Sequence, residues 1–239
     1  MSPERFARIK EVLAARQPDL TVCMEEVHKP QNISAVIRTA DAVGVHQLHA
    51  VWPKGSKMRT FGGTSAGSRN WIDTIIHNST DEAISALRGQ GMQVLVTNLC
   101  ETSVDYREID YTKPTAVVVG QEKLGISDNA LAQADHHIVI PMVGMVQSLN
   151  VSVATALVLY EAQRQRQLAG MYHRETPALA PEEVHRILFE GGHPVMAKVA
   201  KRKGLPYPPL DDEGRLLLTR HGGMPFSLLN GKLQRYCFC

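Results

Sequence analysis

The chain has 239 residues, 44% of them hydrophobic and 21% charged, which suits one α/β domain of about 150 residues with extensions. A formal net charge of +2 decides nothing about nucleic acid, and no run approaches the ~18 apolar residues of a transmembrane helix, so no membrane association is expected. Four cysteines (Cys23, Cys100, Cys237, Cys239) form no CxxC pair, and the amphipathic start MSPERFARIKEVLAARQ is unlike a secretory signal; reduced thiols in the cytoplasm are the expectation.

In chain order, Pro3 to Arg16 reads as a helix, with Phe6, Ile9, Val12 and Leu13 at helical spacing and Pro18 beyond its end. Leu20 to Val27 reads as a strand. HKPQNISAVIRTADAVGV then places Ile33, Val36, Ile37, Ala40 and Val43 on one helical stripe closed by Gly44. Arg38 falls nearly opposite that stripe, beside Ser34 and Asp41, so it is expected to face outward and to lie within reach of Asp41. A solvated arginine on a surface helix fits the same pattern.

His46 to Trp52 is a second strand. The segment from Pro53 to Asn70 reads as a glycine-rich loop with a short helical turn, carrying neither a P-loop lysine nor GxGxxG after a strand. Trp71 to His77, Met92 to Leu99 and Thr115 to Gly120 are further strands, with a helix over Thr80 to Gln90. TAVVVG is the most β-branched run and is expected to be central. Alternating strands and helices predict a mostly parallel sheet, whose strand C-terminal ends gather ligands. Gly120 to Ser127 (GQEKLGIS) sets a carboxylate between two glycines at such an end, although a turn capped by Ser127 before the helix Asp128 to Ala134 explains it equally.

Ile138 to Met142 reads as a buried strand closed by Pro141. From Asn150 a helix begins, apolar first and polar toward Arg166, with Ser148, Asn150 and Ser152 clustered where free amides need side-chain oxygens. Such a strand, loop and helix N-terminus commonly holds a small polar ligand, and an ordinary strand-to-helix turn has the same shape. Pro177 to Phe189 and the basic segment before Gly204 suggest two more helices, and no clear period follows Asp211. Basic residues cluster toward both ends of the chain, around an acidic stretch from Asp81 to Asp110. That distribution fits arms gripping phosphates, as well as plain solvated faces. Histidines such as His136 and His137 lack ligand spacing, and no metal is expected.

Three segments stand in order: NISAVIRTADAVGV (32–45), VVVGQEKLGIS (117–127) and IVIPMVGMVQSLNVSVATAL (138–157). Together they resemble the three motifs of the SpoU/TrmH family of SPOUT methyltransferases, which transfer a methyl group from S-adenosylmethionine to ribose 2′-hydroxyls of RNA. The basic N-terminal helix, REIDYTKP, LYEAQRQRQLAGMY, and LFEGG with AKVAKRKGLPYP are similar to the family's branch that acts on a guanosine of the tRNA D-loop. The resemblance covers roughly residues 1–210 and stops near Leu216.

The resemblance implies an α/β SPOUT fold, a mostly parallel sheet flanked by helices with a C-terminal deep trefoil knot and basic helical extensions. Its divisions are an N-terminal extension (1–19), a methyltransferase domain (20–168), a C-terminal extension (169–210) and an unassigned, disordered-looking tail (211–239). It assigns catalysis to Asn32, Arg38, Glu122, Ser148 and Asn150, and cofactor binding to Thr97, Gly120, Ile140, Met142 and Leu149. Arg8, Arg16, Arg164, Arg166, Arg174, Lys201 and Arg202 are expected to grip tRNA. The family's homodimer places the site at the subunit interface, so Arg38 of one chain faces the other's substrate. Two alternatives stay open: ribose methylation of ribosomal RNA, and a non-catalytic RNA-binding protein of this fold.

Overall fold

The computed structural model describes residues 1–52, 71–174, 176–217, 226–229 and 232–235. The loop expected between Pro53 and Asn70 lies outside the described residues. Helix α1 (Pro3–Ala14) opens the chain, which divides into two compact units, Met1–Glu11 with Pro181–Cys239, and Val12–Ala180.

The larger unit is built on a seven-stranded, all-parallel sheet: β1 (Leu20–Glu25), β2 (Gln47–Val51), β3 (Asp73–His77), β4 (Gln93–Thr97), β5 (Val104–Asp105), β6 (Thr115–Val119) and β7 (His136–Val139), in the order β3-β2-β1-β6-β4-β7-β5. Every residue of β1 and β6 is buried, which is why these strands read as unbroken apolar runs instead of alternating ones. Period two persists inside the sheet: Val117 and Val119 of β6 join one core, Ala116 and Val118 the other. The first core is closed by α2 (Pro30–Ala42) and α5 (Val151–Leu168) through Ile33, Val36, Ile37, Val158, Leu159 and Ala162. The second is closed by α3 (Thr80–Gly89) and α4 (Asp128–Gln133) through Ala83, Ile84, Leu87 and Ala130.

Helix α2 starts at Pro30, because proline is preset for the first helical position and has no N–H to leave unpaired. It packs against α5 as well as against the sheet. Ser34, expected on the outward face with Arg38, is fully buried, while Arg38 is exposed. Strand β7 spans His136–Val139, earlier than expected, and the chain from Ile140 to Asn150 is irregular.

Two basic residues expected on the RNA-facing surface are interior instead. Arg16 is 1% exposed, donates to the Val45 carbonyl at 2.7 Å and pairs with Asp41 at 2.7 Å, taking the carboxylate expected to serve Arg38. Arg166 is fully buried, pairs with Asp19 at 2.5 Å, and donates to Gln17 and to the carbonyls of Tyr111, Asp19 and Lys113. Five donors in a planar fork suit a crowded junction of strand ends, and removing one partner of such a buried pair typically costs about 3–5 kcal/mol.

In the smaller unit, α6 (Pro181–Gly192) and α7 (Pro194–Lys203) pack Phe189, Met196 and Ala197 with Tyr207, Leu210 and Leu216. The Phe189 and Tyr207 rings stack with centroids 4.5 Å apart. Arg5 donates to the Gly191 carbonyl, fastening the N-terminus to the end of α6. The tail carries β8 (Phe226–Leu229) and β9 (Lys232–Arg235), an antiparallel pair that the weak sequence pattern did not signal. No helix among the described residues is long and apolar enough to cross a membrane.

Between β2 and β3, Nδ1 of His49 lies 2.9 Å from Nε2 of His77. Both rings are buried and nearly parallel, and the two facing nitrogens share one proton. Burial, then the neighbouring His77, pushes the His49 pKa down to about 4. Unfolding restores a value near ~6.5, so the unfolded chain binds a proton that the folded chain refuses, and stability present above that pH is lost as pH falls toward 4. In urea unfolding, the fall in stability between pH 7.5 and pH 5 is expected to be about 2 kcal/mol smaller for His49→Gln than for the parent; parallel pH curves would refute this role.

Candidate active site

Strands β6, β4 and β7 are neighbours in the sheet, and their C-terminal ends carry Gly120, Thr97 and Ile140. Thr97 pairs with Ile138 in register, and Asn98 donates its backbone N–H to the Ile138 carbonyl at 3.0 Å. Val104 of β5 also pairs with Ile138, so the connection over residues 98–103 passes from one side of β7 to the other at this edge. Beyond it, among the described residues, no backbone hydrogen bond engages residues 141–149. Met142 and Leu149 are half-buried there, and Val143, Met145 and Val146 are exposed. Free peptide groups interleaved with apolar side chains fit a ligand with polar edges and flat apolar faces.

The turn after β6 explains its two glycines. Gln121 and Gly125 exchange backbone hydrogen bonds, both at 3.0 Å, which folds residues 121–125 tightly back. A Cβ on Gly120 would lie 2.2 Å from the Gly125 carbonyl oxygen, and Gly125 itself has φ of +73°. The turn is held from below by Glu25, a buried carboxylate at the end of β1. It accepts from the Ser127 amide at 2.8 Å and hydroxyl at 2.7 Å, and from the Thr80 hydroxyl at 2.6 Å. Sequence reading missed Glu25; a carboxylate ending the otherwise apolar strand LTVCME was its one signal.

Glu122, at the tip of this turn, reaches the start of α2. Its Oε1 accepts from the Asn32 side-chain amide at 2.6 Å and from the Lys29 backbone amide at 3.3 Å. Lys29 occupies the N-cap of α2 without a capping side chain, so Glu122 supplies the anion that the helix end lacks. Burial alone would raise the Glu122 pKa; backbone amides, including those of His28 and Lys29, and the Asn32 amide outweigh it and hold the carboxyl below the usual range. Asn32 in turn accepts from Nδ2 of Asn150 at 3.2 Å. The Asn150 oxygen caps α5, accepting from the Ser152 amide at 2.9 Å and hydroxyl at 2.7 Å. A carboxylate and a helix cap both require donors, which fixes the orientation of both asparagine amides.

Asn32, Glu122 and Asn150 thus form one continuous relay joining three segments distant in sequence. Ser148 is exposed in the loop before α5 and takes no part in it. Arg38 stands away from the relay on the exposed face of α2, and among the described residues no hydrogen bond or ion pair holds its guanidinium. Of the expected RNA contacts, Arg8 is paired with Glu11, Arg164 with Glu161 and Lys201 with Glu190, all on exposed basic side chains. Arg202 is exposed, and Arg174 is half-buried.

Comparison with known proteins identifies the family. Residues 19–160 match the SpoU rRNA Methylase family, and residues 164–218 match the family described as SpoU, rRNA methylase, C-terminal. The chain is 63% identical over 216 residues to the tRNA (guanosine(18)-2'-O)-methyltransferase of Escherichia coli (strain K12), covering 90% of this chain and 94% of that protein. It is 55% identical to the enzyme of the same name from Thermus thermophilus, over 78% of this chain and 94% of the relative. Among solved structures, the Aquifex aeolicus TrmH/SpoU tRNA modifying enzyme superposes with a TM-score of 0.74 at 44% identity, covering 80% of this chain and 96% of that one. The Streptomyces viridochromogenes SpoU methyltransferase AviRb, solved in complex with the cofactor AdoMet, gives 0.58 at 27% identity, over 65% of this chain and 64% of that one. With the parallel sheet, the strand-end loops and the relay of its three motifs all in place, the chain belongs to the SpoU rRNA methylase family.

Proposed function

We propose that the protein methylates the ribose 2′-hydroxyl of a guanosine in the D-loop of tRNA, using S-adenosylmethionine. The observation that carries this reading is the Glu122–Asn32–Asn150 relay beside the open loop of residues 141–149. The names of relatives at 63% and 55% identity supply the substrate class. Thr97, Gly120, Ile140, Met142 and Leu149 hold the cofactor, whose bound form supplies an electrophilic methyl group. A cytoplasmic location follows from the substrate.

A ribose hydroxyl is a weak nucleophile at neutral pH and needs alignment, removal of its proton and compensation of the developing charge. The Arg38 guanidinium, a planar fork of donors, suits a flanking phosphate and the emerging alkoxide better than it suits the work of a base. Glu122 stays ionised and accepts hydrogen bonds, and with Asn32 and Asn150 it fixes the geometry into which substrate and arginine settle. Ser148 adds a hydroxyl at the same rim. Exposed Arg8, Arg164, Lys201 and Arg202, with Arg174, grip the tRNA backbone, an attraction that weakens steeply with salt.

The reading includes a homodimer with the site at its interface. Val153, Leu157 and Tyr160 form an exposed apolar stripe along α5, at i, i+4 and i+7, starting beside Asn150. A second copy seated on that stripe brings its own Arg38 to the relay, which this chain's Arg38 does not reach. The reading also includes a trefoil knot, in which the segment from β7 to α5 threads the loop over residues 98–103; the pairing of both β4 and β5 with Ile138 supports it.

Arg38→Ala is expected to abolish methyl transfer to unmodified tRNA transcripts, a loss on the order of 10³-fold or more, while equilibrium binding of S-adenosylmethionine is kept; near-normal turnover would sink the assignment. Leu157→Arg is expected to sediment as a monomer and to lose methylation with its fold intact by circular dichroism, and an active monomer would remove the shared site.

A further inference from the structure

The C-terminal edge of β1 and β2 carries a feature that the relay does not use. Trp52, directly after β2, is only 9% exposed, and its buried indole Nε1 has no hydrogen-bond partner among the described residues. An unmet buried donor costs about 1–3 kcal/mol, so its retention points to an acceptor arriving from outside. Beside it stands the exposed ring of His28, its centroid 5.4 Å from that of Trp52 and the planes at 71°.

The chain between these groups is held in a costly shape. Glu26 has φ of +51°, the one positive value for a non-glycine residue among those described. Its amide donates to the Val51 carbonyl, and its Oε2 accepts from Gln121 and lies 4.0 Å from Nε2 of His28. The turn sends the His28 and Lys29 amides toward Glu122 and leaves the His28 ring beside Trp52. One short segment therefore serves the relay with its backbone and an aromatic pair with its side chain.

We propose that His28 and Trp52 form a subsite for an unpaired purine base of the RNA, adjacent to the nucleotide whose ribose is methylated. The base stacks on the exposed His28 ring, which turns within its rotamers to admit it, and a purine O6 or N7 accepts the indole N–H. A phosphate suits the place poorly, because the Glu26 carboxylate lies beside the imidazole. This inference rests on the reading of the relay as a ribose methylation centre.

The test uses the full-length protein and unmodified tRNA transcripts. Trp71→Phe leaves Trp52 as the sole tryptophan of the chain, and its emission is expected to change as transcript is added. His28→Ala is expected to raise the KM for transcript roughly ten-fold, with kcat and S-adenosylmethionine affinity retained, and His28→Phe is expected to restore it. A transcript with an abasic residue next to the methylated guanosine is expected to lose the same factor with the parent and nothing further with His28→Ala. Equal losses on the abasic transcript in both proteins, no recovery with His28→Phe, or unchanged Trp52 emission would each overturn the subsite. Failure of the parent to methylate any transcript would instead overturn the function on which it rests.

Discussion

The amide of Asn150 meets two demands at once, and the site depends on that coincidence. Its oxygen closes the N-terminus of α5 through Ser152, while its nitrogen donates to Asn32 and, through Asn32, secures Glu122. Neither asparagine can flip its amide without leaving a carboxylate or a helix end unpaired, so the relay has a single polarity. Glu122 gives the same service in return, capping α2 through the Lys29 amide. The geometry of the relay and the capping of two helices thus draw on the same hydrogen bonds, and loosening one disturbs the other.

Much of the sheet and the outward face of α2 is legible in the sequence. The β-branched run of Thr115–Val119 announced a central strand because a strand buried on both faces has no polar positions to interrupt it. Arg38 was placed on the outer face of α2 by helical geometry alone, and it is exposed. Other features rest on long-range contacts that local pattern does not record. Ser34 shares the sequence spacing of an outward residue, yet it is fully buried, and nothing in the helix's own period tells it apart from Arg38. Strand β5 has two residues, too few to show a period, and the start of β7 at His136 is set by pairing with Leu95. The links among Asn32, Glu122 and Asn150 are visible only once three strand ends are brought to one edge.

Charge gave the least transferable signal. A count of arginines near the chain ends treated Arg16 and Arg166 as hands for nucleic acid, whereas the fold spends both inside, each on an aspartate and several carbonyls. Their partners, Asp41 and Asp19, are spread along the sequence, so no local pattern separates a structural arginine from a surface one. Of the basic residues that stay exposed, Arg8, Arg164 and Lys201 are each paired with a neighbouring glutamate.

The position of β7 between β4 and β5 bears on how the protein comes into being. Ile138 pairs on one side with Thr97 and on the other with Val104, so the place for β7 is defined by strands synthesised well before it. Six strands can be in hand on the ribosome while the gap between two of them stands open. The irregular loop of residues 140–150, and the Asn150 side chain that donates to Asn32, come only from the segment that follows. No nascent chain therefore holds the complete relay until β7 and the cap of α5 behind it have been made.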